Sequence, residues 1–327
     1  MLSYIMRRIL LMIPTLVAIS IISFTIIKLP PGNFVNTYVM SMKMRGFVVH
    51  EEQRKALESR YGLDQPIHIQ YIKWITKFVK GDMGFSFGSN MPVRMLVTER
   101  VSRTILLSLA SLIISFGIAL PIGVYSATHK YTWQDYTVTF LSFLGMATPS
   151  FFLALLLMYI GSSLFGFSVG GLFSPQFLDA PWSFARFIDL LQHVWVPLAV
   201  LGVAGAAGSI RVMRANLLDE LSRPYVTAAR SRGLKEWQVI WKYPVRVAIN
   251  PFLSTVGWLL PALISGEEIA SIVLNLPTTG PLLLQSLITQ DMYVAASIIM
   301  LLSILTVIGT LISDLVLAAV DPRIRIA

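Results

Sequence analysis

The chain contains no cysteine among its 327 residues, which excludes disulfides, thiolate metal sites and cysteine nucleophiles. It is almost as poor in charge. Asp, Glu, Lys and Arg make up 13% of it and apolar residues 55%, where an ordinary soluble domain carries about 25% charge. That is too little charge to cover the surface of a soluble globule, and too much apolar surface for a disordered chain. Histidine is scarce too: His50, His68, His129 and His193 are scattered and no H-E-x-x-H occurs, so no metal cluster is expected. Glycine is never followed by lysine, so there is no P-loop to hold ATP. What remains is a non-catalytic membrane protein for which no cofactor, metal or nucleic-acid partner is expected.

The apolar residues fall into runs. A crossing takes about 20 of them, and uncharged stretches occupy residues 9–27, 104–128, 136–178, 194–210, 247–266 and 292–313. The first follows Arg7 and Arg8 as a signal peptide would, but its nineteen residues exceed a signal core and no small-x-small site follows. It reads as a retained helix. The 136–178 stretch is long enough for two crossings, yet its second half holds Gly166, Gly170, Gly171 and Pro175, a poor helix-forming composition.

Charge gives an independent test. With six spans and the N-terminus inside, the inside segments 1–8, 129–135, 211–246 and 314–327 carry 2, 1, 8 and 2 Lys or Arg, and the short outside loops carry Arg186 alone. A seventh span would put the eight-charge segment outside, against the positive-inside rule. The expected fold is therefore an all-α polytopic membrane protein with six helices, at about 9–27, 104–128, 136–160, 194–210, 247–266 and 292–313. Both termini are expected in the cytoplasm of a cell with this chain in its cytoplasmic membrane, in contact with lipid. The net charge of +9 also includes twelve basic and six acidic residues in one long outside segment, residues 28–103. Loops of this length are largely exempt from the rule. The segment is expected to form a folded extracytoplasmic insertion with an amphipathic helix around Gln70–Val79. This divides the chain into residues 1–95, the first helix plus the insertion, and residues 96–327, the remaining five runs with their loops.

None of the six runs contains Asp, Glu, Lys or Arg. Intramembrane charges mark proton relays and ion paths, so a proton-driven pump or voltage-gated channel is disfavoured. Proline falls in five runs, at Pro14, Pro121, Pro149, Pro197 and Pro261; membrane helices tolerate it where neighbours satisfy the freed carbonyls. In the fourth run Gly202, Gly205 and Gly208 interleave with Ala204, Ala206 and Ala207. That density of small residues predicts a close helix–helix contact, within the chain or with a partner subunit.

The inside loop 211–246 carries eight basic and three acidic residues. Within it, Pro224 opens and Gly233 stops a short predicted helix, and a second helical stretch follows over Lys235–Lys242. Ala228 and Ala229 would give the first helix a small face against which another surface could press. Alone, such a basic juxtamembrane helix would simply hold anionic lipid.

The order Thr227-Ala228-Ala229-x-x-x-Gly233, a basic helix, then Ile249-Asn250-Pro251 opening the next run resembles the EAA loop of importer-type ABC permeases. More narrowly, the chain resembles the B-type subunit of the dipeptide/oligopeptide permease family along its full length. The likeness is carried by Met6–Pro14 and Pro31-Gly32, by Tyr61–Pro66, Gln70-Tyr71, Trp74 and Gly81–Gly84, by Pro149–Leu156, and by Asp321–Arg325. Departures are Thr227 in place of the broader pattern's Glu, Asn33 where Asp is usual, and Ser271 near the site of a family Glu, with Glu267 and Glu268 placed earlier.

The resemblance implies a binding-protein-dependent ABC importer. In it, Tyr225, Thr227, Ala228, Ala229, Arg230, Arg232, Gly233 and Leu234 would form the coupling helix that presses into an ATPase. The implied partners are a second, related permease, two P-loop ATPase subunits that hydrolyse the ATP, and an extracytoplasmic substrate-binding protein. Peptides are the implied cargo; relatives of the same machine take oligosaccharides or metal chelates. A secondary carrier is the more distant alternative, and would be expected to show coupling-ion groups or broken half-helices.

Overall fold

The computed structural model describes residues 2–29, 32–60, 62–166, 170–178, 180–254 and 268–320. The described residues are mostly helical, and the only strand-like pairing among them is one bridge between Phe85 and Pro92. In chain order the helices are α1 (Leu2–Lys28), α2 (Phe34–Met44), α3 (Glu51–Arg60), α4 (Ile67–Val79), α5 (Val93–Thr128), α6 (Trp133–Ala147), α7 (Ser150–Phe165) and α8 (Phe184–Leu221). They continue with α9 (Pro224–Ser231), α10 (Glu236–Lys242), α11 (Pro244–Ser254), α12 (Thr279–Ile288) and α13 (Met292–Val320).

Among the described residues, four helical stretches are long and apolar enough to cross a membrane: Met6–Lys28, Val93–Thr128, Phe184–Leu221 and Met292–Ile312. The α6–α7 pair adds a fifth if counted as one span. The expected crossing over 136–160 is not a straight rod. It breaks at Thr148–Pro149, and α6 and α7 meet at 105°. Proline lacks an N–H and pushes the residue before it out of the helical region; Thr148 accordingly sits at ψ 119°. Two other helices overrun their apolar runs. α5 has 36 residues and α8 has 38, so at 1.5 Å per residue each is about 55 Å long, against about 30 Å of hydrocarbon. Most of the expected run over 247–266, with Pro261 and Glu267, lies outside the described residues, as do Pro31, Tyr61 and the Asp321–Arg325 ending.

The chain forms two compact units. The first is built mainly on Ile105–Leu276. One apolar cluster joins Leu107 of α5, Ala154 of α7, and Val196, Val200 and Leu201 of α8 to Ala270, Leu274 and Leu276. A second joins Ala119, Val124 and Ala127 of α5 to Ala206, Ile210, Met213 and Leu217 of α8 and to Val245 and Ala248 of α11. The small-residue stripe of α8 makes the close approach expected of it, inside the chain. Ser115 Oγ of α5 donates to the Gly202 carbonyl at 2.8 Å. A Cβ at Gly205 would lie 2.7 Å from Ser115 Oγ, and one at Gly145 would lie 3.1 Å from Ala207 Cβ. Gly205→Val should therefore force α5 and α8 apart and cost about 1–3 kcal/mol, while Gly208→Ala, with open space around it, should change little. Thermal unfolding in detergent compares the two.

The second unit comprises Met6–Thr104 and Pro277–Leu305. The amphipathic helix expected around Gln70–Val79 is α4, which starts at Ile67. It buries Trp74 against Phe24 of α1 and against Met292, Ala296 and Met300 of α13. The loop between α4 and α5 is held by a buried acid. Asp291 is 3% exposed, and its Oδ2 accepts from Ser86 Oγ at 2.6 Å and from the Gly88 N–H at 3.0 Å. Burial pushes the Asp291 carboxyl above its usual range, against the pull of those donors. Asp291→Ala would strand both donors, each worth about 1–3 kcal/mol when unsatisfied. Limited proteolysis should then cut within residues 84–92, which resist in the wild type.

Candidate functional site

The C-terminal end of α8 carries two arginines beyond the apolar run, Arg211 and Arg214, with different surroundings. Arg214 is neutralised: its Nε donates to Asp135 Oδ1 and its Nη2 to Asp135 Oδ2, both at 2.7 Å. Asp135 sits in the first turn of α6 and is 1% exposed. It also accepts from Ser126 Oγ of α5 and from the Tyr131 N–H at 2.9 Å. One carboxylate thus ties three helices together where α8 leaves its apolar run. The pair was illegible in the sequence, because its members stand 79 residues apart and each reads alone as an ordinary loop charge.

Among the described residues no acid pairs with Arg211. Its guanidinium carbon lies 4.3 Å from the centroid of the Phe143 ring, and its Nη1 lies 3.4 Å from Met146 Sδ. Both contacts come from α6, and neither cancels the charge. Arg211, Phe143 and Met146 line a cleft of about 890 Å³ between α6 and α8, floored by Gly205 and Gly208 and edged by Thr139, Thr148 and Ser209. Gly145, also in the lining, has lost its helical partner, since residue 149 is a proline without an N–H.

After Arg223 the chain turns into α9, α10 and α11. Proline at the first helical position starts α9 without cost. Arg232 closes it with its N–H on the Ala229 carbonyl, and Gly233 follows at φ +74°, the left-handed stop that glycine adopts freely. The predicted helix over Tyr225–Leu234 is thus helical from Pro224 to Ser231, with Arg232, Gly233 and Leu234 in the turn after it. Val226, Ala229 and Val239 are fully or nearly fully buried and form a core of their own with Tyr243.

The eight site residues read from the sequence do not share one face. Thr227, Ala228, Arg230, Arg232, Gly233 and Leu234 are exposed. Tyr225 is also exposed, and its hydroxyl donates to Glu220. Burial and that bond push the phenol up to about 12, so it keeps its proton at any physiological pH. Arg230 donates to Glu236 at 2.7 Å and holds that carboxyl below its usual range. Ala229 differs. It was expected beside Ala228 on a docking face, but it is 3% exposed and packs inward on Val239. In a helix, neighbours in sequence point about 100° apart, so only Ala228 faces out. Sequence reasoning missed Val226 and Val239, although the i, i+3 spacing of Val226 and Ala229 marks an inward stripe.

Most of the chain matches known family models. Residues 119–326 match the binding-protein-dependent transport system inner membrane component, and residues 1–110 match the N-terminal membrane component of the same systems. The chain belongs to this family. Its members are the membrane permeases of ABC importers, and the chain is an integral membrane protein of that kind. Within the family it is 36% identical over 327 residues to an oligopeptide transport system permease of Bacillus subtilis, covering 99% of this chain and all of that one. It is 30% identical over 325 residues to a glutathione transport system permease of Salmonella paratyphi A, covering 99% of each. Its fold is similar to a chain of the MetNI methionine ABC transporter in an inward-facing conformation, with a TM-score of 0.56 at 18% identity, over 70% of this chain and 98% of that one. Membership in this permease family displaces the secondary-carrier reading, even though the family member has a broken membrane helix at Pro149.

Proposed function

We propose that this permease conducts peptides through the cytoplasmic membrane, driven by ATP hydrolysed on two partner subunits and docked through α9. The observation that carries the docking is the exposure of Thr227, Ala228 and Arg230 on a helix anchored from behind by Val226, Ala229 and Val239. A loop that served only as a connector would need no core of its own. Peptide cargo is favoured because the relatives matched end to end are named for oligopeptide and glutathione transport.

The full topology in this reading is six spans, with both termini and α9–α10 cytoplasmic and an extracytoplasmic insertion within residues 1–95. It needs a sixth crossing within 247–266 and α6–α7 as one crossing. The remaining partners are a second, related permease, the core 96–327 of each chain lining the path, and a binding protein that delivers cargo to the outer face. ATP binding would draw the ATPases together and move α9, and with it α8 and α11, between two packed arrangements.

Proteoliposomes containing the complete importer test the assignment. Uptake of a tripeptide should require ATP and the binding protein; uptake independent of ATP would overturn the reading. Within that assay Gly233→Val meets no neighbouring atom, but it places a β-branched residue at φ +74°, at a cost of about 1–2 kcal/mol. Coupled uptake should fall several-fold while membrane insertion, read by protease protection, is unchanged.

A further inference from the structure

The cleft between α6 and α8 joins three features. It is large enough for a small organic ligand, whose pockets run to about 300–1,000 Å³, at about 890 Å³. Its walls are largely apolar, from Phe143, Met146, Ala204, Gly205 and Gly208, with the hydroxyl residues Thr139 and Thr148 and, at Gly145, a backbone that Pro149 leaves without its helical donor. Among the lining residues stands Arg211, whose described contacts are an aromatic face and a thioether. The neighbouring Arg214 is consumed by Asp135, so among the described residues the lining carries one positive charge without a paired acid, and no acid of its own. The Phe143 ring covers the guanidinium face and the Met146 sulfur meets Nη1; the edge formed by Nε and Nη2 is the one that suits a planar carboxylate.

We propose that Arg211 binds the C-terminal carboxylate of a short peptide lying in this cleft. The peptide's apolar side chains rest on the glycine floor, and its backbone N–H groups meet Thr139, Thr148 and the Gly145 carbonyl. This rests on the peptide-import reading above and goes further, by assigning the cargo group recognised and the residue that recognises it. A phospholipid would also bring an anion and apolar tails, but its tails would leave the acceptors along the cleft unused.

The test uses the complete importer in proteoliposomes, with ATP-driven uptake of the tripeptide Leu-Ala-Leu compared with its C-terminal amide, each saturating the binding protein. Wild type should favour the free acid about 10- to 100-fold, the range of one charge-assisted bidentate contact. In Arg211→Gln that ratio should collapse to about 1, and Arg211→Lys should keep part of it. An unchanged ratio in Arg211→Gln, or an equal fall for acid and amide, overturns the assignment. So does a collapse seen in vesicles with anionic lipid but absent in vesicles of phosphatidylcholine alone, which would give Arg211 to the membrane. If wild type takes up neither peptide, the peptide reading itself falls; a wild type that transports both without preference sinks only the role of Arg211.

Discussion

Arg214→Leu is expected to cost about 3–5 kcal/mol of stability, the price of leaving a buried charge without its partner. Asp135 is 1% exposed and receives both donors of the guanidinium; its remaining partners, Ser126 and the Tyr131 N–H, orient the carboxylate without neutralising it. A loss of this size is a large share of the 5–15 kcal/mol that holds a typical domain. The unfolding temperature in detergent should fall by more than it does for any exposed substitution in the loop. Removing both charges should recover part of it, because the largest cost is that of the uncompensated buried charge, which the amide of Asn does not carry. Asp135→Asn combined with Arg214→Leu should therefore be more stable than Arg214→Leu alone. Equal stability of the single and double variants would show that the pair is not the clamp between α5, α6 and α8.

The second large effect is expected at Ala229. Its Cβ packs on Val239 beside Val226, so Ala229→Glu drives a carboxylate into a core with no described cation. Burying that charge costs several kcal/mol, while burial of a valine side chain contributes about 1.5–3 kcal/mol. The three-residue core loses that contest, and α9 should detach from α10. Peptide uptake should drop by roughly tenfold or more, on a cost above about 1.4 kcal/mol. ATP hydrolysis by the partners, no longer linked to the path, should continue. Ala228→Glu places the same charge on the exposed face, where it should weaken docking without disrupting α9. If circular dichroism and uptake respond alike to the two substitutions, the inward orientation of Ala229 is wrong.

The parts of this molecule legible in the sequence are those set by local chemistry. The apolar runs appeared as helices over 9–27, 104–128, 194–210 and 292–313, because a run of about twenty apolar residues has few other ways to satisfy its backbone in a bilayer. Pro224 and Gly233 bracketed α9 because each fixes the backbone by itself. The two-faced character of the loop was less accessible. Ala228 and Ala229 are the same residue type, and only helical phase against Val239, on the following helix α10, separates an outward face from a packing face. Pro149 reads in the sequence as an ordinary proline in a span, and nothing local to it predicts a bend as sharp as 105°. Arg211 and Arg214 differ only through residues far away in the chain, Phe143 and Met146 in one case and Asp135 in the other. Long-range pairing of that kind leaves no periodicity to read.

In the proposed assembly α9 meets an ATPase through its outward face, and the chain's lack of cysteine makes that contact directly measurable. Ala228→Cys and Ala229→Cys can each be placed in an otherwise thiol-free permease, co-assembled with its ATPase partners and treated with a short bifunctional reagent reactive to thiols and amines. Ala228→Cys is predicted to cross-link to an ATPase subunit, and Ala229→Cys, held against Val239, to give little or no product. Absence of a cross-link from Ala228→Cys in an assembled complex that hydrolyses ATP, or a stronger one from Ala229→Cys, would mean that the outward face of α9 is not the ATPase contact.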